Sequence, residues 1–123
     1  MTEIPKKLER EIQFAYADCW MANQNLSYEL RCLDFCSTEF LSKEQAKYLF
    51  SKYVKSYNEF KPELLDYLPD DTQVKIAREG SVCIYVASKT LDSFSVAERN
   101  KLRKVMKLDE FSKYNNEYRL WWD

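Results

Sequence analysis

The chain of 123 residues contains no histidine and a single glycine. The first absence removes the usual general acid–base, every Ser–His or Cys–His nucleophile arrangement and the commonest metal ligand. The second removes the glycine-rich loops that cradle phosphates, and the GxSxG nucleophile elbow with them. No apolar run approaches the ~18 residues of a membrane-spanning helix. The opening MTEIPKKLEREIQ carries charges where a signal peptide needs an apolar core. A soluble cytoplasmic protein is the expectation, with its four cysteines as thiols.

Those cysteines (Cys19, Cys32, Cys36 and Cys83) contain no CxxC pair, so the spacing of a structural zinc site is missing. No metal and no small-molecule cofactor is expected. Without histidine, acid–base work would fall to paired carboxylates, and the obvious doublet, Asp70-Asp71, follows Leu68-Pro69 as turn chemistry does. An enzyme is not expected.

What the chain does have is apolar patterning. Hydrophobic residues make up 46% and aromatics 15%, enough for one core, and 32% charged residues solvate the rest. A stripe at Ile4, Leu8, Ile12, Ala15, Cys19, Ala22, Leu26, Leu30 and Leu33 predicts a helix that persists to about Cys36. A break near residues 23–27 fits the weak helix formers there. On the opposite face of that helix runs a heptad ladder, Phe14, Met21, Tyr28 and Phe35. A helix with two apolar stripes is either sandwiched in its own domain or covered by another chain.

The next helix starts at a capping box, Ser42 with Gln45, and its stripe runs from Ala46 to Phe60, where Pro62 ends it. Pro62 opens a short helical turn closed by Pro69. After the Asp70-Asp71 turn the period drops to two. Gln73–Ala77 and Val82–Ala87 read as a hairpin turned at Gly80, the second strand covered on both sides. A third helix, Val96 to Lys107, follows a second capping box, Ser95 with Glu98. Asn115-Asn116 then turns a last hairpin, in which Phe111 faces Leu120. Tyr118, Leu120 and Trp122 share its core face, and Trp121, Arg119 and Glu117 share the other. The whole is one α+β domain, residues 1–123, in the order ααββαββ, with helices on a small, mostly antiparallel sheet. Residues 1–68 form its helical part and 69–123 a hairpin–helix–hairpin part.

Two functional readings follow. The ladder Phe14, Met21, Tyr28 and Phe35, the polar-face Trp121 and the nine tyrosines suit a protein interface, with another protein or with a second copy as a homodimer. Composition alone is that of a small regulator, inhibitor or immunity-type protein, phage or mobile-element borne. The alternative rests on charge. The formal net charge is −1, yet Val74–Leu108 carries eight Lys/Arg against three Asp/Glu. Lys101, Arg103, Lys104 and Lys107 on the third helix, with Lys75 and Arg78 on the hairpin, would then contact nucleic-acid phosphates.

Overall fold

The computed structural model describes residues 3–20 and 34–123. Helix α1, Lys6–Ala15, begins after Pro5, where a proline without an N–H costs the first turn nothing. Ile4, Leu8, Ile12 and Ala15 are buried, as the first stripe requires. Helix α1 stops at Ala15, and a short α2, Ala17–Trp20, continues after Tyr16.

The expected helical run to Cys36 is not what forms. Phe35–Cys36 is a strand, β1, and Leu41–Ser42 a second, β2, so two strands fall in the part expected to be helical. Both pair with β3, Gln73–Glu79. The expected break at residues 23–27 lies outside the described residues.

Helix α3, Lys43–Tyr53, carries the predicted capping box in both directions: Gln45 N–H to Ser42 Oγ, and Ser42 N–H to Gln45 Oε1. It ends earlier than Phe60. Lys55 turns left-handed (φ 66°) and donates its N–H to the Phe50 carbonyl at 2.7 Å. Asn58 (φ 53°) then reverses the chain, and Tyr57 and Phe60 bond each other across it. The reversal seats Phe60 between Phe50 and Trp122, with ring centroids 4.9 and 4.8 Å away in edge-on contacts. Core packing thus overrides the helical spacing. Pro62–Tyr67 forms a 3₁₀ turn, as Pro62 at its start allows.

Strand β4, Ser81–Ala87, pairs with β3 through a turn at Gly80, whose φ of +72° suits glycine. A four-residue helix α4, Ser88–Leu91, leads to α5, Val96–Val105, behind the expected Ser95–Glu98 capping box. Helix α5 closes with a left-handed Lys107 (φ 58°): Lys107 N–H bonds the Lys104 carbonyl and Leu108 N–H the Arg103 carbonyl. Strands β5, Glu110–Tyr114, and β6, Glu117–Trp121, then form the final hairpin with Phe111 opposite Leu120, as read from the sequence.

The sheet is antiparallel in the order β1-β3-β4-β6-β5, with β2 also on β3. Alternation along each strand gives it two faces. Val74, Ile76, Val82, Ile84, Val86, Leu120 and Trp122 enter one core with residues of α1, α3 and α5. Ala77 and Cys83 are equally buried, but they lie on the opposite face and outside that core. The second face also carries Lys75, Glu79, Tyr85, Glu117, Arg119 and Trp121, all half-buried. That face is where polar chemistry collects.

Candidate interaction face

Three neighbouring strands build the second face around one carboxylate. Glu79 ends β3, Tyr85 lies on β4 and Arg119 on β6, and the register sets Tyr85 directly opposite Arg119. Glu79 accepts hydrogen bonds from the Tyr85 hydroxyl, from Arg119 Nε at 2.9 Å and from the Cys83 thiol at 3.5 Å. Arg119 also reaches Glu110 on β5, 2.8 Å from Nη1. Trp121 Nε1 donates to the Glu79 carbonyl at 2.9 Å, and the Arg119 guanidinium lies 5.6 Å from the Trp121 ring centroid. One strand-length further on, Lys75 pairs with Glu117 at 2.9 Å and sits 4.8 Å from the ring centroid of Phe40.

The electrostatics hold each group in its resting form. Burial alone would raise the Glu79 carboxyl, but the bonds from Tyr85 and Arg119 outweigh it and leave the group below the ordinary carboxylate range. Burial and then the adjacent Glu79 push the Tyr85 hydroxyl and the Cys83 thiol well up. At neutral pH the cluster is a carboxylate saturated with donors, a protonated phenol and a protonated thiol. It offers neither a free base nor a thiolate, the form in which cysteine attacks. Cys36, on the same face, is likewise raised by burial. Among the described residues no three of Cys, Asp and Glu come together as a metal site.

The residues expected at a partner interface separate. Trp121 is on the second face as predicted, next to Arg119 and Glu117. Phe14 and Phe35 do not share a helix, because α1 ends at Ala15 and Phe35 pairs with Arg78 in the sheet. They nonetheless line one groove of about 610 Å³ with Lys7, Arg10, Glu11 and Asp34, Phe14 being 51% exposed. Met21 and Tyr28 lie outside the described residues.

The cationic set also separates. Lys101, Arg103 and Lys104 are exposed on α5 and Lys107 is exposed just beyond its end, although Arg103 is tied to the Leu108 and Asp109 carbonyls. Lys75 is occupied by Glu117. Arg78, expected at a phosphate-contacting surface, is instead 1% exposed. Its Nη1 donates to the Ala15 carbonyl at 3.0 Å, the last of α1, and its guanidinium lies 5.2 Å from the Tyr16 ring centroid. A cation there complements the helix dipole and has no access to a ligand. The signal was in the sequence: Arg78 continues the inward alternation of Val74 and Ile76. Glu79 and Tyr85 give no signal in the sequence, because a Glu beside a glycine turn and a Tyr in an apolar run carry no pattern of their own.

No family model, no curated protein and no solved structure matches this chain.

Proposed function

We propose that this protein works by stoichiometric, non-enzymatic binding of a protein partner in the cytoplasm, as a small regulator or inhibitor, through the second face of its sheet. The carrying observation is the fixation of Trp121, Tyr85 and Arg119 by Glu79. Tryptophan, tyrosine and arginine are the residue types that dominate binding hot spots. Here their side chains are held before any partner arrives, which reduces the ordering cost of association. The inert protonation states of Glu79, Tyr85 and Cys83 support a binding role over catalysis. A phosphate-binding role loses two of its six cations, Arg78 to the core and Lys75 to Glu117.

The test is comparative affinity purification from the native host, followed by reconstitution with the purified candidate. Wild type should retain one protein near equimolar ratio. Trp121→Ala should weaken that complex about 30-fold, the ~2 kcal/mol of a central aromatic, with an unchanged circular dichroism spectrum. Tyr48→Ala, an exposed position on α3, serves as control and should change nothing. Equal retention by wild type and Trp121→Ala would refute the assignment of this face.

A further inference from the structure

The sheet ends in β5, which pairs with β6 on one side and with no described strand on the other. The two-residue turn Asn115-Asn116 makes Tyr114 and Glu117 a hydrogen-bonded closing pair. Alternation along the ladder then turns the N–H and C=O of Phe111 and Lys113 away from β6. Among the described residues none of these four groups has a partner in the protein. Glu110, Ser112, Lys113 and Tyr114 are exposed along the strand. An open edge of this kind is a template for another extended chain.

A groove of about 270 Å³ runs beside that edge. Helix α5 supplies one wall with Val96, Arg99, Asn100 and Arg103, the i, i+3, i+4, i+7 spacing of a single helical face. Strand β5 supplies the other with Phe111 and Lys113. The Arg99 guanidinium and Lys113 Nζ lie 5.9 and 5.8 Å from the ring centroid of Tyr118, which also lines the groove. Three cations line it and no carboxylate does. Arg99 donates to the Leu91 and Phe94 carbonyls and Arg103 to those of Leu108 and Asp109, bonds that orient a guanidinium without neutralising it. Acids border the groove but are engaged. Asp92 accepts from Lys113 at 3.0 Å and from the Tyr118 hydroxyl at 2.8 Å. Asp109 accepts from the Asp123 N–H at 2.7 Å, and Glu110 joins Arg119 on the opposite face of the sheet. With Asp92 set against Lys113, the charge of both arginines remains unanswered.

We propose that β5 takes up an extended segment of a protein partner as an added antiparallel strand, its main chain bonded to Phe111 and Lys113 and its acidic side chains, at alternate positions, lying in the groove. The two requirements coincide. Antiparallel residues that exchange both hydrogen bonds share a face of the sheet, so the partner residues bonded to Phe111 and Lys113 are the ones whose side chains enter the groove. Main-chain bonds then give affinity and the cations give specificity. A second copy fits less well. Two β5 edges joined about a two-fold axis keep both α5 helices on one side of the sheet, which sets Arg99, Arg103 and Lys113 against their own images. Nucleic acid answers the cations but has no peptide groups to continue the ladder. The edge uses none of Glu79, Tyr85 and Trp121, so this reading and that of the sheet face fail separately.

Fluorescence anisotropy on the full chain tests it with labelled peptides in which Glu alternates with Val. The Glu/Val peptide should bind saturably, and the same peptide with Lys for Glu at least tenfold more weakly. Backbone N-methylation separates strand addition from simple charge attraction. Methylating the Glu amides, which face β5 in this register, should weaken binding at least tenfold. Methylating the Val amides, which face away, should change it by less than about twofold. Lys113→Pro removes one outward N–H and one charge while sparing the ladder to β6. It should weaken the Glu/Val peptide at least tenfold with melting retained. Should that variant fail to fold, the two methylated peptides on the wild-type chain decide alone. Equal effects of the two methylations, equal binding of the Lys peptide, or no binding of the Glu/Val peptide would each overturn the proposal. So would tighter binding of a labelled single-stranded RNA, or a wild-type dimer in sedimentation that Lys113→Pro dissociates.

Discussion

Replacing Glu79 by Gln keeps the shape of the side chain and removes its charge. Two firm hydrogen bonds end on that carboxylate, from Tyr85 and from Arg119, with the thiol of Cys83 a weak third. A hydrogen bond to a charged group is worth about 1.5–3 kcal/mol and a neutral one about 1, so two bonds stand to lose ~1–4 kcal/mol. The Glu79 side chain is 32% exposed, and Arg119 keeps Glu110, both of which lower the figure. The expected cost is about 1–2 kcal/mol at pH 7. With an unfolding entropy of ~2.1 cal/mol/K per residue, the melting temperature should fall by about 4–8 °C. The gap has a definite pH dependence. A carboxyl held below its unfolded pKa stabilises the fold fully above that value, roughly 4.3, and less as pH falls through the lowered native one. Urea unfolding of wild type and Glu79→Gln at pH 7 and at pH 3 measures both effects. Coincident midpoints at pH 7, or a gap that widens in acid, would refute this account of the face.

Ile84→Ala, at a side chain of zero exposure between Ile76 and Leu120, should cost about 2–5 kcal/mol by urea titration; an unchanged midpoint would remove β4 from the core. Two of the left-handed positions, Lys107 and Gly80, should respond with opposite signs. Lys107→Gly should stabilise by about 0.5–1 kcal/mol by relieving a lysine at φ 58°. Gly80→Ala, with open space for its Cβ, should cost about 1–2 kcal/mol from φ alone. Calorimetric melting orders all three proteins, and any other order removes backbone strain as the reason.

What could be read in advance was local chemistry. The capping boxes at Ser42 and Ser95, the glycine turn at 80 and the Asn115-Asn116 turn each depend on a few adjacent residues, and all four stand where the spacing put them. The hairpin register then placed Trp121 opposite Glu110 and beside Arg119. The misreadings lay where distant packing decides. Strand β1 has two residues, too few to show a period of two, and Phe35 happens to continue a heptad. Tyr57 and Phe60 continue a helical stripe, but the chain reverses at Lys55 and Asn58 so that Phe60 can fill the space beside Trp122. The Glu79 cluster depends on three strands meeting in register, which no single segment announces.

The position of β6 in the sheet has a consequence for how the chain comes into being. It lies between β4 and β5, yet is made after α4, α5 and β5. Until it arrives, β4 presents an unpaired edge flanked by Val82, Ile84 and Val86, the kind of template that recruits other strands. At ~5–20 residues per second, the residues from Ala87 to Glu117 take roughly 1.5–6 s to synthesise. For that interval the nascent chain holds an open, β-branched edge that its own later sequence must close. Slow translation of this stretch, or a variant that weakens the Asn115-Asn116 turn, should therefore show itself as lost yield of folded protein rather than as lost stability of what does fold.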